Sequence, residues 1–137
     1  MSDLLYKELS YKIIGYIYEM YNEIGFGYQE KHYQRILEEI FREKRLDYKR
    51  ELYGKLIYNE KIIARFYLDF LIEDKIIIEL KVANDFYTRH ICQVLTYLKA
   101  NNLKLGIIIL ITRNGIKSKR IANSRYSRNK ISGGLYK

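Results

Sequence analysis

The sequence predicts an α/β fold, a mixed β-sheet with helices on both faces, and three observations predict it. Two helical segments with an apolar stripe lead the chain. A pair of apolar strands joined by a tight turn follows over RFYLDFLIEDKIIIELK, Arg65–Lys81. A further helical segment then separates that hairpin from KLGIIILI, Lys104–Ile111, whose lack of polar alternation marks a strand buried on both faces. A strand, a crossover helix and a second strand make a parallel pair, whereas the hairpin is antiparallel, so the sheet is mixed with the hairpin near its centre. At 137 residues the chain is long enough for one domain with a core that needs neither disulfides nor structural metal. The expected division is a folded domain over residues 1–123 and a tail over 124–137.

The elements follow in order. From about Asp3 to Ile24, Leu5, Leu9, Ile13, Ile17, Met20, Tyr21 and Ile24 fall at helical spacing, with Ser2 or Asp3 as the cap and Gly25-Phe26-Gly27 as the stop. A second helix runs from near Gln29 to about Lys44 and buries Tyr33, Ile36, Leu37, Ile40 and Phe41. A more polar strand region, Asp47 to Tyr58, precedes the hairpin. Residues 88–101 give the third helix, and a last short helix is expected over Ile116 to Ala122. Cys92 has no partner within the chain and is read as a core residue. With no signal peptide and no long apolar run, a soluble, cytoplasmic protein with no membrane partner is expected.

The hairpin carries acid where apolar residues belong. Asp69 interrupts FYLDFL, and Glu79 is followed by Lys81 in IIIELK. A buried carboxylate costs several kcal/mol unless it is paired or binds a metal. Putting the apolar faces together pairs Ile72 with Ile76, Phe70 with Ile78 and Leu68 with Leu80, leaving Glu73-Asp74-Lys75 as a three-residue loop. Phe66, Leu68, Phe70 and Ile72 then share one face. The same register sets Asp69 across from Glu79, with Lys81 two residues further along. A two-residue turn would send the carboxylates to opposite faces, so the hydrophobic pattern selects convergence.

The net charge of +9 is uneven: residues 1–111 sum to +1 and residues 112–137 to +8, with no acid in the latter. Arg113, Lys117, Lys119, Arg120, Arg125, Arg128 and Lys130 form a candidate nucleic-acid-binding arm, since cations displace the counterions of a polyanion. A solvated tail is the plainer reading of the segment after Asn123. Tyrosines interleaved with basic residues near Tyr48–Tyr58 suit nucleic acid too, but an amphipathic sheet explains them more cheaply.

Asp69 followed by Glu79-x-Lys81 resembles the signature of the PD-(D/E)XK nuclease superfamily. The second helix opens with Gly27-Tyr28-Gln29-Glu30-Lys31-His32-Tyr33, which matches GxxExxY, and the third carries Gln93-Val94-Leu95-Thr96-Tyr97, which resembles the QxxxY motif of RecB-like members. Over about Leu9 to Asn123 the chain is therefore similar to the GxxExxY family of that superfamily. The resemblance implies a restriction-endonuclease-like fold and an Mg²⁺- or Mn²⁺-dependent nuclease acting on DNA or RNA. It implies Asp69, Glu79 and the Leu80 carbonyl as metal ligands, Glu30 completing the metal or water shell, and Lys81 acting on the attacking water. It also implies that Gln93 and Tyr97 line the site. Taken singly, Glu30 is explained by the helix dipole, and Gln93 and Tyr97 by ordinary packing. His32 and His90 lack companions at zinc spacing and are read as surface or packing residues. The competing functions are a non-catalytic nucleic-acid-binding module and a protein-interaction subunit. A homodimer suits cleavage of two strands, though no residue pattern signals one.

Overall fold

The structure is a computed structural model and describes residues 6–124. Helix α1, Lys7–Ile24, buries Ser10, Ile13, Ile17 and Met20, one stripe of a 3.6-residue period. The Ser2 or Asp3 cap lies outside the described residues. Helix α2, Glu30–Glu43, buries Tyr33, Leu37 and Phe41 four residues apart. Strands β1 (Tyr48–Tyr58) and β2 (Lys61–Ile72) form a long hairpin, turned at Asn59-Glu60 with both residues at positive φ. Strand β3, Ile76–Val82, is followed by helix α3, Thr88–Ala100, then by β4, Leu105–Thr112, and β5, Gly115–Ala122.

The five strands of the described residues lie in chain order, β3 and β4 parallel and the other neighbours antiparallel. This is the mixed sheet the hairpin and crossover predict, with β3 in the middle. Helices α1 and α2 cover one face, where Ile13, Ile17, Leu37 and Phe41 pack on Phe70, Ile78, Leu80, Ile107 and Ile109. Helix α3 covers the other through Val94 and Leu98 on Ile77, Ile108 and Leu110. All eight residues of β4 are buried, as its unbroken apolar run requires. Among the described residues no helix is long and apolar enough to cross a membrane.

Three expectations are corrected. Ile116 to Ala122 is strand β5, not a helix: it pairs with β4 from Thr112–Gly115 to Leu105–Ala122 and covers the edge that this buried strand would otherwise leave unpaired. Cys92 is exposed, because the buried stripe of α3 runs through Val94 and Leu98, and a residue two before Val94 points away from it.

The third correction concerns β2. The pairs Ile72–Ile76 and Phe70–Ile78 and the three-residue loop are present, but the β2–β3 ladder stops at Phe70 and Leu68 does not pair with Leu80. Leu68 packs into the α3-side core and Phe70 into the opposite one, so the strand changes face between them. Strand β1 turns with it: Glu51 adopts φ 55°, and the β1–β2 register passes from Arg50–Phe70 to Leu52–Leu68 without pairing Glu51 to Asp69. The sheet is therefore twisted and parted at Asp69.

Candidate active site

Helix α2 reaches the site through its first turn. Gly27 takes φ 125°, a conformation open to glycine and strained for other residues, and redirects the chain after α1. The buried Tyr33 hydroxyl donates to the Gly25 carbonyl at 2.6 Å and lies 3.4 Å from the Tyr28 N–H that donates to it. The Gln29 N–H donates to His32 Nδ1 at 3.3 Å, closing the helix start. The glycine and tyrosine of GxxExxY thus fasten the first turn. Its glutamate, Glu30, accepts the Val82 N–H at Oε1 (3.2 Å) and approaches Lys81 Nζ at 3.8 Å through Oε2.

Asp69 and Glu79 occupy the parting of β2 and β3 and replace the missing ladder bonds with their own. The Asp69 N–H donates to Glu79 Oε1 at 2.9 Å, and the Leu80 N–H donates to Asp69 Oδ2 at 2.8 Å. Glu79 Oε2 pairs with Lys81 Nζ at 3.2 Å. Asp69 Oδ1 accepts from Gln34 Nε2 at 2.8 Å, and that amide nitrogen also lies 3.5 Å from Glu30 Oε2. Glu30, Asp69, Glu79 and Lys81 therefore form one cluster, brought together by side-chain bonds across the parting and not by the paired register expected of the hairpin, and Gln34 joins it from one turn beyond Glu30. Sequence reading missed Gln34, although its i, i+4 spacing from Glu30 was a usable signal.

Burial raises the Asp69 carboxyl to about 6, with the negative charge of Glu30 adding to the effect. Burial and the neighbouring Asp69 push Glu79, only 2 % exposed, up to about 8. Burial opposes the Lys81 charge, but Glu79 and Glu30 outweigh it and hold the ammonium above its usual range. Ionised together, the two carboxylates would hold more negative charge than the one lysine offsets. That donor set fits Mg²⁺ or Mn²⁺, hard cations that take oxygen ligands. Among the described residues no group of three His, Cys, Asp or Glu side chains is gathered as a metal cage. Mg²⁺ needs none, since one or two carboxylates with waters and substrate phosphate suffice.

The remaining candidates are less closely gathered. Gln93 is half-buried on α3, and among the described residues no hydrogen bond joins it or Tyr97 to Asp69 or Glu79. Tyr97 packs against the α3-side core, and burial raises its hydroxyl. His90, which sequence reading set aside, is within reach of the charges of Lys81 and Glu30. It is half-buried, with no hydrogen-bond partner for Nδ1 among the described residues, and burial, with the Lys81 charge, holds it below the usual imidazole range. Tyr97 stands roughly 10 Å further along the helix axis, at 1.5 Å per residue.

The basic candidates divide by face. Lys117 pairs with Leu110, which pairs with Lys81, and Lys119 pairs with Ile108, which pairs with Glu79. These two lysines therefore share the α3-side face with Glu79 and Lys81, two strands away, roughly 10 Å. Lys119 Nζ sits 5.9 Å from the Phe86 ring centre. Arg120 is on the opposite face and donates to Ser10 Oγ at 3.0 Å, while Arg113 lies over Phe26. Arg125, Arg128 and Lys130 lie outside the described residues.

Comparison with known proteins agrees with this architecture. A solved structure titled crystal structure of SSO0001 superposes with a TM-score of 0.51 at 21 % identity, over 65 % of this chain and 47 % of that one. The chain thus spans about half the length of that protein, and the likeness is one of fold. No curated protein matches. A family model described as the PD-(D/E)XK nuclease superfamily matches residues 7–121, nearly the whole of the described fold that holds Glu30, Asp69, Glu79 and Lys81. On that match the chain belongs to the PD-(D/E)XK nuclease superfamily.

Proposed function

We propose that this chain is a metal-dependent nuclease of the GxxExxY branch that hydrolyses phosphodiester bonds of DNA. The superfamily's members are typically nucleases that use divalent metals, which gives the reaction class. The observation that carries the reading is the pair Asp69 and Glu79, which meets where β2 and β3 part, its carboxyls raised to about 6 and 8, beside Lys81. Ionising both of these buried acids is costly unless a cation relieves it.

Asp69, Glu79 and the Leu80 carbonyl would hold Mg²⁺ or Mn²⁺. When bound, the cation would supply charge stabilisation for the phosphate and a lowered pKa for water. Gln34 fixes the Asp69 carboxylate by its amide N–H, and the Glu79 carboxylate is fixed by the Asp69 N–H. Lys81, between Glu79 and Glu30, orients a water toward the scissile phosphorus and offsets charge on the phosphate. Glu30 holds that lysine and completes the water shell. Gln93 and Tyr97 line the approach from α3. Lys117 and Lys119 contact the phosphate backbone on the α3-side face, with Arg113, Arg120 and the tail residues 124–137 adding affinity.

The test is incubation with linear, circular, single-stranded and branched DNA in Mg²⁺, Mn²⁺ or EDTA, with Asp69→Asn as control. Cleavage that needs metal and Asp69 supports the reading. No cleavage of any form with either metal, by protein that binds DNA, would leave a non-catalytic binding module instead.

A further inference from the structure

The outer part of the β1–β2 hairpin, beyond Glu51 and Asp69, is an arm with two unlike faces. One face carries Leu52, Phe66 and Leu68 into the α3-side core. The Phe66 ring lies on Gly54, where an added Cβ would come within 2.3 Å of it, so the glycine is what lets the ring close over that face. The other face carries the cross-strand pairs Tyr53–Tyr67 and Lys55–Arg65. Tyr67 is 63 % and Tyr53 42 % exposed. Their ring centres are 5.5 Å apart, and Arg65 Nε donates to the Tyr53 hydroxyl at 3.1 Å.

Position and chemistry both name an occupant. Along β2, Tyr67 comes two residues and Arg65 four residues before Asp69, which sets the tyrosine pair roughly 7 Å and the Lys55–Arg65 pair roughly 14 Å from it along the strand. A track of paired aromatic rings followed by paired cations suits a chain that offers bases to stack and phosphates to neutralise. Duplex hides its base faces and would leave the rings nothing to stack on. A second copy docked on this face by two-fold symmetry would offer the same tyrosines and cations, and no negative charge for Lys55 and Arg65 to meet.

We propose that the tyrosine face of the β1–β2 arm is the docking surface for an unpaired nucleic-acid strand, which it leads into the Asp69–Glu79 centre. The proposal rests on the nuclease reading for the strand's destination, while binding to the arm stands apart from cleavage.

The full chain is titrated in EDTA with a fluorescently labelled oligothymidylate and with a duplex of equal length. Tyr53→Ala/Tyr67→Ala should weaken single-strand binding roughly tenfold or more and leave its salt dependence and duplex affinity nearly unchanged. Tyr53→Phe/Tyr67→Phe should retain single-strand affinity, since the stacking faces remain. Lys55→Ala/Arg65→Ala should lower the log–log salt slope by about 1.4, at roughly 0.7 per phosphate for single strands. Unchanged single-strand affinity in the alanine pair, or equal loss for duplex, overturns the proposal. So does loss of a dimer with unchanged single-strand affinity, which would make this face a contact between copies. Tyrosine-dependent binding by a wild type that cleaves nothing in either metal keeps the arm and overturns the nuclease reading. Metal-dependent cleavage with no tyrosine-dependent binding does the reverse.

Discussion

Asp69 and Glu79 each accept a backbone N–H from the opposite strand, which is why the ladder ends where the acids begin. Their carboxyls lie above the ordinary range, so the folded protein binds more protons than the unfolded chain. The destabilising effect is absent below about pH 4, where both states are protonated, and complete above about 8. In EDTA, urea midpoints should therefore fall as pH rises from 5 to 9. Glu79→Gln, which stays neutral, should flatten that fall and gain on the order of a few kcal/mol relative to wild type at pH 9. A slope identical in both proteins would mean that Glu79 ionises freely. Lys81→Ala should abolish cleavage, measured in Mg²⁺ with DNA affinity followed separately, and leave affinity largely intact. Full activity would make the Glu-x-Lys spacing coincidental. Asp69, Glu79 and Lys81 were legible in the sequence because a charge inside an apolar strand is conspicuous. Gln34 was less so: its i, i+4 spacing from Glu30 was a signal, but an amide on an amphipathic helix is ordinary until the partner strand is placed.

At the scale of elements, α2 matters for where its first turn is fastened. Tyr33→Phe removes the 2.6 Å bond to the Gly25 carbonyl. It should cost about 0.5–1.5 kcal/mol by urea denaturation, and cleavage should fall as Glu30 loses its fixed position. Unchanged stability and rate would detach the tyrosine of GxxExxY from the site. The helices and the central strands were readable from periodicity, and the register near the loop followed from matching Phe70 to Ile78. The change of face at Asp69 was not readable, because it depends on Glu51 of the neighbouring strand taking a positive φ. Strand β5 was misjudged because Ile116 and Ile121, five apart, give no clean period. The open edge of β4 decides it. Asn114-Gly115 was the local hairpin signal, and Asn114 N–H does donate to Thr112 Oγ1 at 3.1 Å in that turn.

For the whole molecule, charge and chemistry are divided along the chain. Deleting the residues after Asn123 removes Arg125, Arg128, Lys130 and Lys137. If each meets a phosphate, the log–log salt slope for duplex binding should fall by about 3.6, at roughly 0.9 per phosphate. Thermal unfolding should not move, since the cores draw on residues up to Ile121. An unchanged slope would assign binding to the folded domain alone. The sheet with helices on both faces was legible from element order, and the site's position followed from the hairpin at its centre. Which basic residues share the active face was not, because Lys117 and Lys119 join Lys81 only through the β3–β4–β5 register. The central claim is that the Asp69–Glu79 pair is held for a divalent cation and not as a structural ion pair with Lys81. Calorimetric titration of Mn²⁺ at pH 7, in two buffers of different ionisation enthalpy, tests it most directly. The wild type should bind saturably with release of about one proton per ion as Glu79 ionises, and Glu79→Gln should lose both. No saturable binding by the wild type, or equal binding by the variant, would contradict it.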